Sequence, residues 1–199
     1  MALTKFNYNS FDITPVASKA LAFNSDADGL TTAAEGSMVL IKTLTASADG
    51  TLDFVDGTDD VVLDSTYPIY KFEFINIHPA TDAAKFTFQA DTGTNTSYNQ
   101  TITSTFFHAP HNESDSDAGP VEYEAGHDQA QGTGFQDLVR NVGNDNDQSC
   151  NGFLQIYNPS SSVFVKHFIS TMNSQALNEY TDITYAAGYF NTTTALTRF

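Results

Sequence analysis

Three histidines in the 108–131 region have the residue types and neighbours that metal or acid–base chemistry would need. His108, His111 and His127 lie close in sequence to Glu113, Glu122, Glu124 and Asp128. A zinc site draws on imidazole and carboxylate held by a second ring of hydrogen bonds. His108-Ala109-Pro110-His111 is the nearest such pair, but Pro110 prevents the two rings from sharing a helix face. The expectation is therefore surface histidines in a polar loop, with no metal ligand assigned. A second oxygen-rich stretch runs from Asn24 through Asp26 and Asp28 to Gly29 and Glu35. Its oxygens fall at the first, third, fifth and twelfth positions of a loop turned by glycine, the spacing of a calcium-binding EF-hand. Asn24 stands where Asp is usual, Thr31 where an apolar residue is usual, and the segment after Glu35 reads as a strand. A solvated turn is the preferred reading, with calcium as its rival and no other cofactor expected.

Nucleophilic catalysis finds no support. No Gly-x-Ser-x-Gly elbow occurs, and Cys150 has neither histidine nor a basic residue beside it in Gln148-Ser149-Cys150-Asn151. A small buried residue is its expected role, and a single cysteine makes no intrachain disulfide. With 24 acidic residues, some carboxylate pair will always sit at glycosidase spacing, so that signal discriminates nothing. The expectation is a protein with no catalytic residue. Loop aromatics and amides, namely Tyr98, Tyr123, Asn95, Asn99 and Asp91, are of the type that grips sugars.

The elements that would hold these groups are almost all extended. Ile69 to Ile77 is the strongest strand, with Tyr70, Phe72 and Phe74 on one face and Ile69, Lys71, Glu73 and Ile75 on the other. His78-Pro79 ends it. Further strands are expected at 38–44 (covered on both sides), 51–55, 85–89, 98–107, 134–142, 152–157, 162–171 and 182–191, with an irregular loop over 108–131. This pattern predicts an all-β fold, an antiparallel β-sandwich of jelly-roll type spanning 37–199. Residues 1–36 read as an N-terminal arm. Thr14 as a helix cap, Pro15 at the first helical turn, and Val16, Ala17, Ala20 and Leu21 on one face leave a short helix or a docking arm equally open.

Composition narrows function further. Eight basic residues against 24 acidic ones give a net charge of −16, which repels polyanions and excludes nucleic-acid binding by phosphate neutralisation. No apolar run is long enough for a membrane-spanning helix, and Met1-Ala2-Leu3-Thr4-Lys5-Phe6-Asn7 does not resemble a secretory signal.

Several motifs occurring in one order then carry a resemblance. They include the run from Leu63-Asp64-Ser65-Thr66-Tyr67-Pro68 to Ile77-His78-Pro79-Ala80-Thr81-Asp82, then Lys85-Phe86-Thr87-Phe88-Gln89 and Ser104-Thr105-Phe106-Phe107-His108. Val142-Gly143-Asn144-Asp145-Asn146-Asp147, Tyr157-Asn158-Pro159 and Gly188-Tyr189-Phe190-Asn191-Thr192-Thr193 complete the series. From about residue 37 onward the chain resembles virion proteins of marine tailed bacteriophages, described as tail-fibre or appendage proteins. The resemblance implies a structural protein on the outside of a virion, assembled in the host cytoplasm and joined to other virion proteins through its N-terminal arm. It further implies a symmetric homo-oligomer, a trimer foremost, whose loops touch a host-surface glycan. A capsid-decorating protein and a small polysaccharide depolymerase are the alternatives. Relatives continue past Thr193 into a final strand pair, whereas this chain ends at Arg198-Phe199. The expectation is that a neighbouring subunit covers the exposed edge, or that the architecture is shortened.

Overall fold

The computed structural model describes Leu21–Phe23, Leu30–Thr32 and residues 38–199. The chain divides into two units, Met1–Thr43 and Leu44–Phe199. In the first, β1 (Leu21–Phe23) and β2 (Leu30–Thr32) pair antiparallel, with Leu21 opposite Thr32. Leu21 therefore lies in a strand and not on a helix face. Thr14, Pro15, Val16, Ala17 and Ala20 lie outside the described residues, as do Asn24, Asp26, Asp28, Gly29 and Glu35.

In the second unit every described element is a strand. They are β3 (Ile69–Ile77), β4 (Ala84–Phe88), β5 (Asp91–Thr92), β6 (Ile102–Asn112), β7 (Glu122–Tyr123) and β8 (Ala130–Gly132). They continue with β9 (Gln136–Val142), β10 (Cys150–Tyr157), β11 (Lys166–Ala176), β12 (Tyr180–Phe190) and β13 (Leu196–Arg198). The main sheet runs in the order β3-β10-β11-β12-β6-β7, all antiparallel. Its spine is the β11–β12 hairpin, registered without a break from Lys166↔Phe190 to Ala176↔Tyr180. Asn178 and Glu179 both adopt positive φ in its turn, the twist that matches two right-handed strands.

Side chains alternate across this sheet, and the inward set makes the core. Tyr70, Ile102, Phe106, Leu154, Ile156, Phe168, Met172, Ala186 and Phe190 are all buried. A ribbon of β4 and β9 lies over that inner face. Phe88 of β4 meets Phe168 and Phe190 edge-on at 5.0 and 5.8 Å, and Phe86 meets Phe74 at 4.8 Å. From β9, the Leu138 carbonyl accepts a 2.7 Å hydrogen bond from Thr184 Oγ1, and Val142 bridges to Ala176. These contacts make a β-sandwich-like arrangement of sheet and ribbon. Gly188 lets β12 close onto β6, because a Cβ there would stand 2.4 Å from the Thr103 carbonyl oxygen.

Three sequence expectations need correction. Residues 38–44 form no strand, and Met38 and Leu40 are exposed; among the described residues no strand pairs with this apolar run. Residues 51–55 form no strand either, apart from the isolated bridge of Val55 to Arg198. Residues 108–131 are not one loop. β6 runs on through Asn112, and β7 and β8 lie within the span. The last strand is also flanked on both sides, by β5 and by residues 54–56. Phe54 and Phe199 exchange backbone bonds at 2.9 and 3.1 Å, and Asp56 N–H donates to the Thr197 carbonyl at 2.8 Å. Its backbone edges are thus occupied from within the chain.

Asp91 holds that C-terminal corner together. Its fully buried carboxylate accepts from the Thr92 and Tyr98 backbone N–H groups and the Asn95 and Gln100 side-chain amides, at 2.8–2.9 Å. Burial alone would raise its pKa, but these four donors outweigh burial and hold the carboxyl below its usual value. A folded pKa below the unfolded one contributes stability at neutral pH, and that contribution is lost as pH falls through the folded pKa. Asp91→Asn should therefore lower unfolding stability by about 2–3 kcal/mol at pH 7. Urea denaturation between pH 7 and pH 2 checks it: the deficit should shrink as the wild-type carboxyl protonates, from about pH 4 downward.

Candidate functional site

The inner face of the sheet changes character along β6 and β12. Near Phe106 and Phe190 it is aromatic; beyond them, His108, Asp182 and Thr184 all point inward and are buried. The β6–β12 register sets His108 opposite Thr184 and Pro110 opposite Asp182. His108 and Asp182 are therefore diagonal neighbours on one face, within reach of a long side chain. His108 Nδ1 lies 2.8 Å from Asp182 Oδ1. Asp182 Oδ1 can only accept, whereas Arg140 Nη2, which can only donate, lies 3.2 Å from the same ring nitrogen.

β7 adds the next groups. It pairs with β6 so that Glu122 stands opposite His108 and Tyr123 opposite Phe107. Strand alternation then sends Glu122 and Glu124 to the His108 side and Tyr123 to the other. The Glu124 N–H donates to the Phe106 carbonyl at 2.9 Å, which fixes that register. Glu124 Oε1 lies 3.2 Å from His108 Nε2. Arg140 from β9 closes the cluster: Nη1 donates to Glu124 Oε1 at 3.0 Å, and Nε to Asp182 Oδ2 at 3.3 Å. The guanidinium thus links the covering ribbon to the buried carboxylate of the sheet.

A second buried acid lies next to it on β9. Asp137 Oδ2 accepts from Lys85 Nζ at 2.7 Å and contacts His127 Nδ1 at 2.6 Å. Gln136 joins the two halves: its Oε1 accepts from Ser104 at 2.5 Å and its Nε2 donates to the His127 carbonyl at 2.9 Å. The His127 ring lies on Phe106, with centroids 5.2 Å apart. The two buried carboxylates here, Asp137 and Asp182, each have a cationic and an imidazole partner, as burial requires.

The three sequence-flagged histidines are therefore separated. His108 is 2% exposed and structural in placement, not a surface residue. His111, three residues along the same strand, faces the opposite side and reaches Asp115 at 3.3 Å. His127 belongs to Asp137. Of the acids, Glu122 and Glu124 join His108, whereas Asp128 hydrogen-bonds the Tyr123 hydroxyl on the other side. Sequence reasoning missed Arg140, Asp137 and Asp182. The available signal for Asp182 was an acid at an inward position of Asp182-Ile183-Thr184, which demands a cation across the core.

The expected sugar-gripping residues also divide. Asp91 and Asn95 belong to the buried corner described above, and Tyr98 stands beside them, its pKa raised by burial and by the nearby Asp53 carboxylate. Asn95, Asn99 and Tyr123 are exposed. Cys150 is buried as expected, and burial pushes its thiol up to about 12, so no thiolate is available for attack. Lys166 is also enclosed; its Nζ donates to the Thr192 carbonyl at 3.2 Å, and burial lowers its pKa.

No protein-family model, curated protein or solved structure matches this chain.

Arg140→Met would leave Asp182 buried with His108 as its remaining partner. It should destabilise the fold by about 3–5 kcal/mol. Lys85→Met, at a half-exposed position, should cost less than about 1 kcal/mol. Paired denaturant titrations of the two variants test that contrast.

Proposed function

We propose that this chain is a structural virion protein of a tailed bacteriophage, a tail-fibre or surface-appendage component that contacts host-surface glycan without catalysis. In this reading its sandwich is jelly-roll-like, its N-terminal arm joins it to other virion proteins, and its copies assemble as a homo-oligomer outside the particle. The motif order given above supports the virion assignment. One structural observation carries the glycan-contact reading: the outer face of β11, β12 and β6 presents exposed aromatic rings and no Asp, Glu, Lys or Arg side chain.

The outward residues of β11, β12 and β6 are the alternate positions 167–175, 181–189 and 103–111. None is Asp, Glu, Lys or Arg, in a chain of net charge −16. Across four strands the register aligns Thr171, Tyr185, Phe107 and Tyr123 in one row. Phe107 and Tyr185 are stacked, with centroids 4.9 Å apart and planes 18° from parallel. Thr103, Thr105 and Tyr189 border the row, and Phe107 and Tyr123 are exposed. Flat rings among hydroxyls suit a neutral sugar, whose C–H face lies on an aromatic plane while its hydroxyls find side-chain oxygens. A charge-free face also lets an acidic protein approach an acidic cell envelope with less repulsion.

Glycan-array binding of the purified chain tests this, alongside Tyr185→Ala. Wild type should bind host-envelope glycans, and the variant should lose about tenfold in affinity, roughly 1.4 kcal/mol, with its melting temperature little changed. Absence of binding to any envelope glycan would sink the receptor-contact reading and favour decoration. Release of reducing sugar from envelope polysaccharide would sink the non-catalytic one. Antibody labelling of intact particles tests the location.

A further inference from the structure

We propose that His108, Glu122 and Glu124 form a binding site for a divalent transition-metal ion of the zinc type, held from behind by Asp182 and Arg140. The site is separate from the uncharged outer face, and it stands or falls independently of the virion reading.

Four features point to it. First, the three side chains offer one nitrogen and two carboxylate oxygens that all lie within 4.8 Å of one another. This convergence is produced by strand register, with Glu122 paired to His108 and Glu124 two residues on. Second, the imidazole is pre-oriented. Asp182 Oδ1 stands behind the ring, 2.8 Å from Nδ1, so that Nε2 is the nitrogen turned toward the carboxylates of β7. Glu124 Oε1 lies 3.2 Å from it. A carboxylate behind a histidine with its far nitrogen turned to a ligand is the usual support of a metal-bound imidazole.

Third, the spacing fits. Ligand atoms about 2.0–2.1 Å from a tetrahedral zinc ion are separated by about 3.3 Å, close to the 3.2 Å between Nε2 and Oε1. Fourth, the charges fit. Three carboxylates (Glu122, Glu124, Asp182) gather about one guanidinium (Arg140), an acidic excess that suits a further cation. Arg140 stays outside the ligand set and steadies Glu124 and Asp182, as outer hydrogen bonds do for ligating carboxylates. One imidazole nitrogen beside carboxylate oxygens selects a borderline ion over calcium or magnesium, which take oxygen alone. Glu122 is exposed, so the ion has an entry path and water can complete its coordination.

Titration of the chelator-treated chain with zinc chloride, followed by calorimetry and melting temperature, tests the proposal. One saturable site is expected, with a rise in melting temperature. Glu122→Gln, at an exposed position, should leave the metal-free melting temperature unchanged and weaken zinc binding at least tenfold. His111→Asn, which removes the surface histidine on the opposite face, should leave binding intact. X-ray absorption of the zinc-loaded chain should show one imidazole among oxygen ligands. The proposal is overturned by no saturable uptake, by equal uptake in Glu122→Gln, or by loss of uptake in His111→Asn. It is equally overturned if nitrogen-15 NMR of the zinc-treated chain shows His108 carrying protons on both nitrogens.

Discussion

Asp182 is a carboxylate placed inside a β-sandwich-like core, and much of this structure can be understood as the answer to it. A buried charge of that kind is tolerated only when a cation and good hydrogen bonds come with it. The main sheet supplies His108 one strand away, but a single imidazole reaches only Oδ1. The other oxygen is met by Arg140, which arrives on β9. Covering the sheet and neutralising its acid are therefore the same event. The ribbon cannot slide along the inner face without parting Arg140 from Asp182, so an electrostatic contact sets the register that aromatic packing alone would leave loose.

That polar end also explains where the sequence was readable. Ile69 to Ile77 was legible in full, because Tyr70, Phe72 and Phe74 alternate with Lys71, Glu73 and Ile75, and the structure keeps both faces as read. Strands near 85–89, 134–142, 152–157 and 182–191 were legible for the same reason, with ends displaced by a few residues. β6 was read only as far as Phe107. Past it the inward residues become His108, Pro110 and Asn112, and an apolar–polar alternation no longer marks the core side. A strand whose buried face is polar looks like a loop. The cluster was half legible on those grounds: His108, Glu122 and Glu124 stood out by type, but Asp182 and Arg140 join them only through long-range pairing. The segment 38–44 failed in the opposite direction, since apolar side chains suggested a covered strand and, among the described residues, no partner strand pairs with it.

The charge balance gains meaning once the cations are located. Only eight basic residues exist, and two are committed inward: Arg140 to Asp182 and Glu124, and Lys166 enclosed beside Thr192. The acids they answer are few compared with the 24 in the chain. The solvent surface is thus even poorer in positive charge than the composition suggests. Against that background the uncharged outer sheet face is set apart: negative residues occupy the turns and rims, and none occupies the broad plane formed by β11, β12 and β6. A surface partitioned in this way discriminates by chemistry. It discourages polyanions everywhere and offers neutral, hydroxyl-rich or apolar partners one place to settle.

The identity of the central cation follows from geometry as well as charge. Arg140 reaches Glu124 through Nη1 and Asp182 through Nε, while Nη2 lies 3.2 Å from His108 Nδ1. These are three directions in one plane, spread over two carboxylates and the edge of an imidazole. A lysine ammonium is a single point at the end of a flexible stem and would satisfy one carboxylate while abandoning the other. It would also be more strongly hydrated and costlier to enclose. The rigid fork of the guanidinium keeps both acids in place at once and holds Glu124 where β7 has brought it, across from His108. The edge strand, the covering ribbon and the buried face of the sheet meet at that one planar group, which is why the polar end of this core can be ordered without an apolar filling.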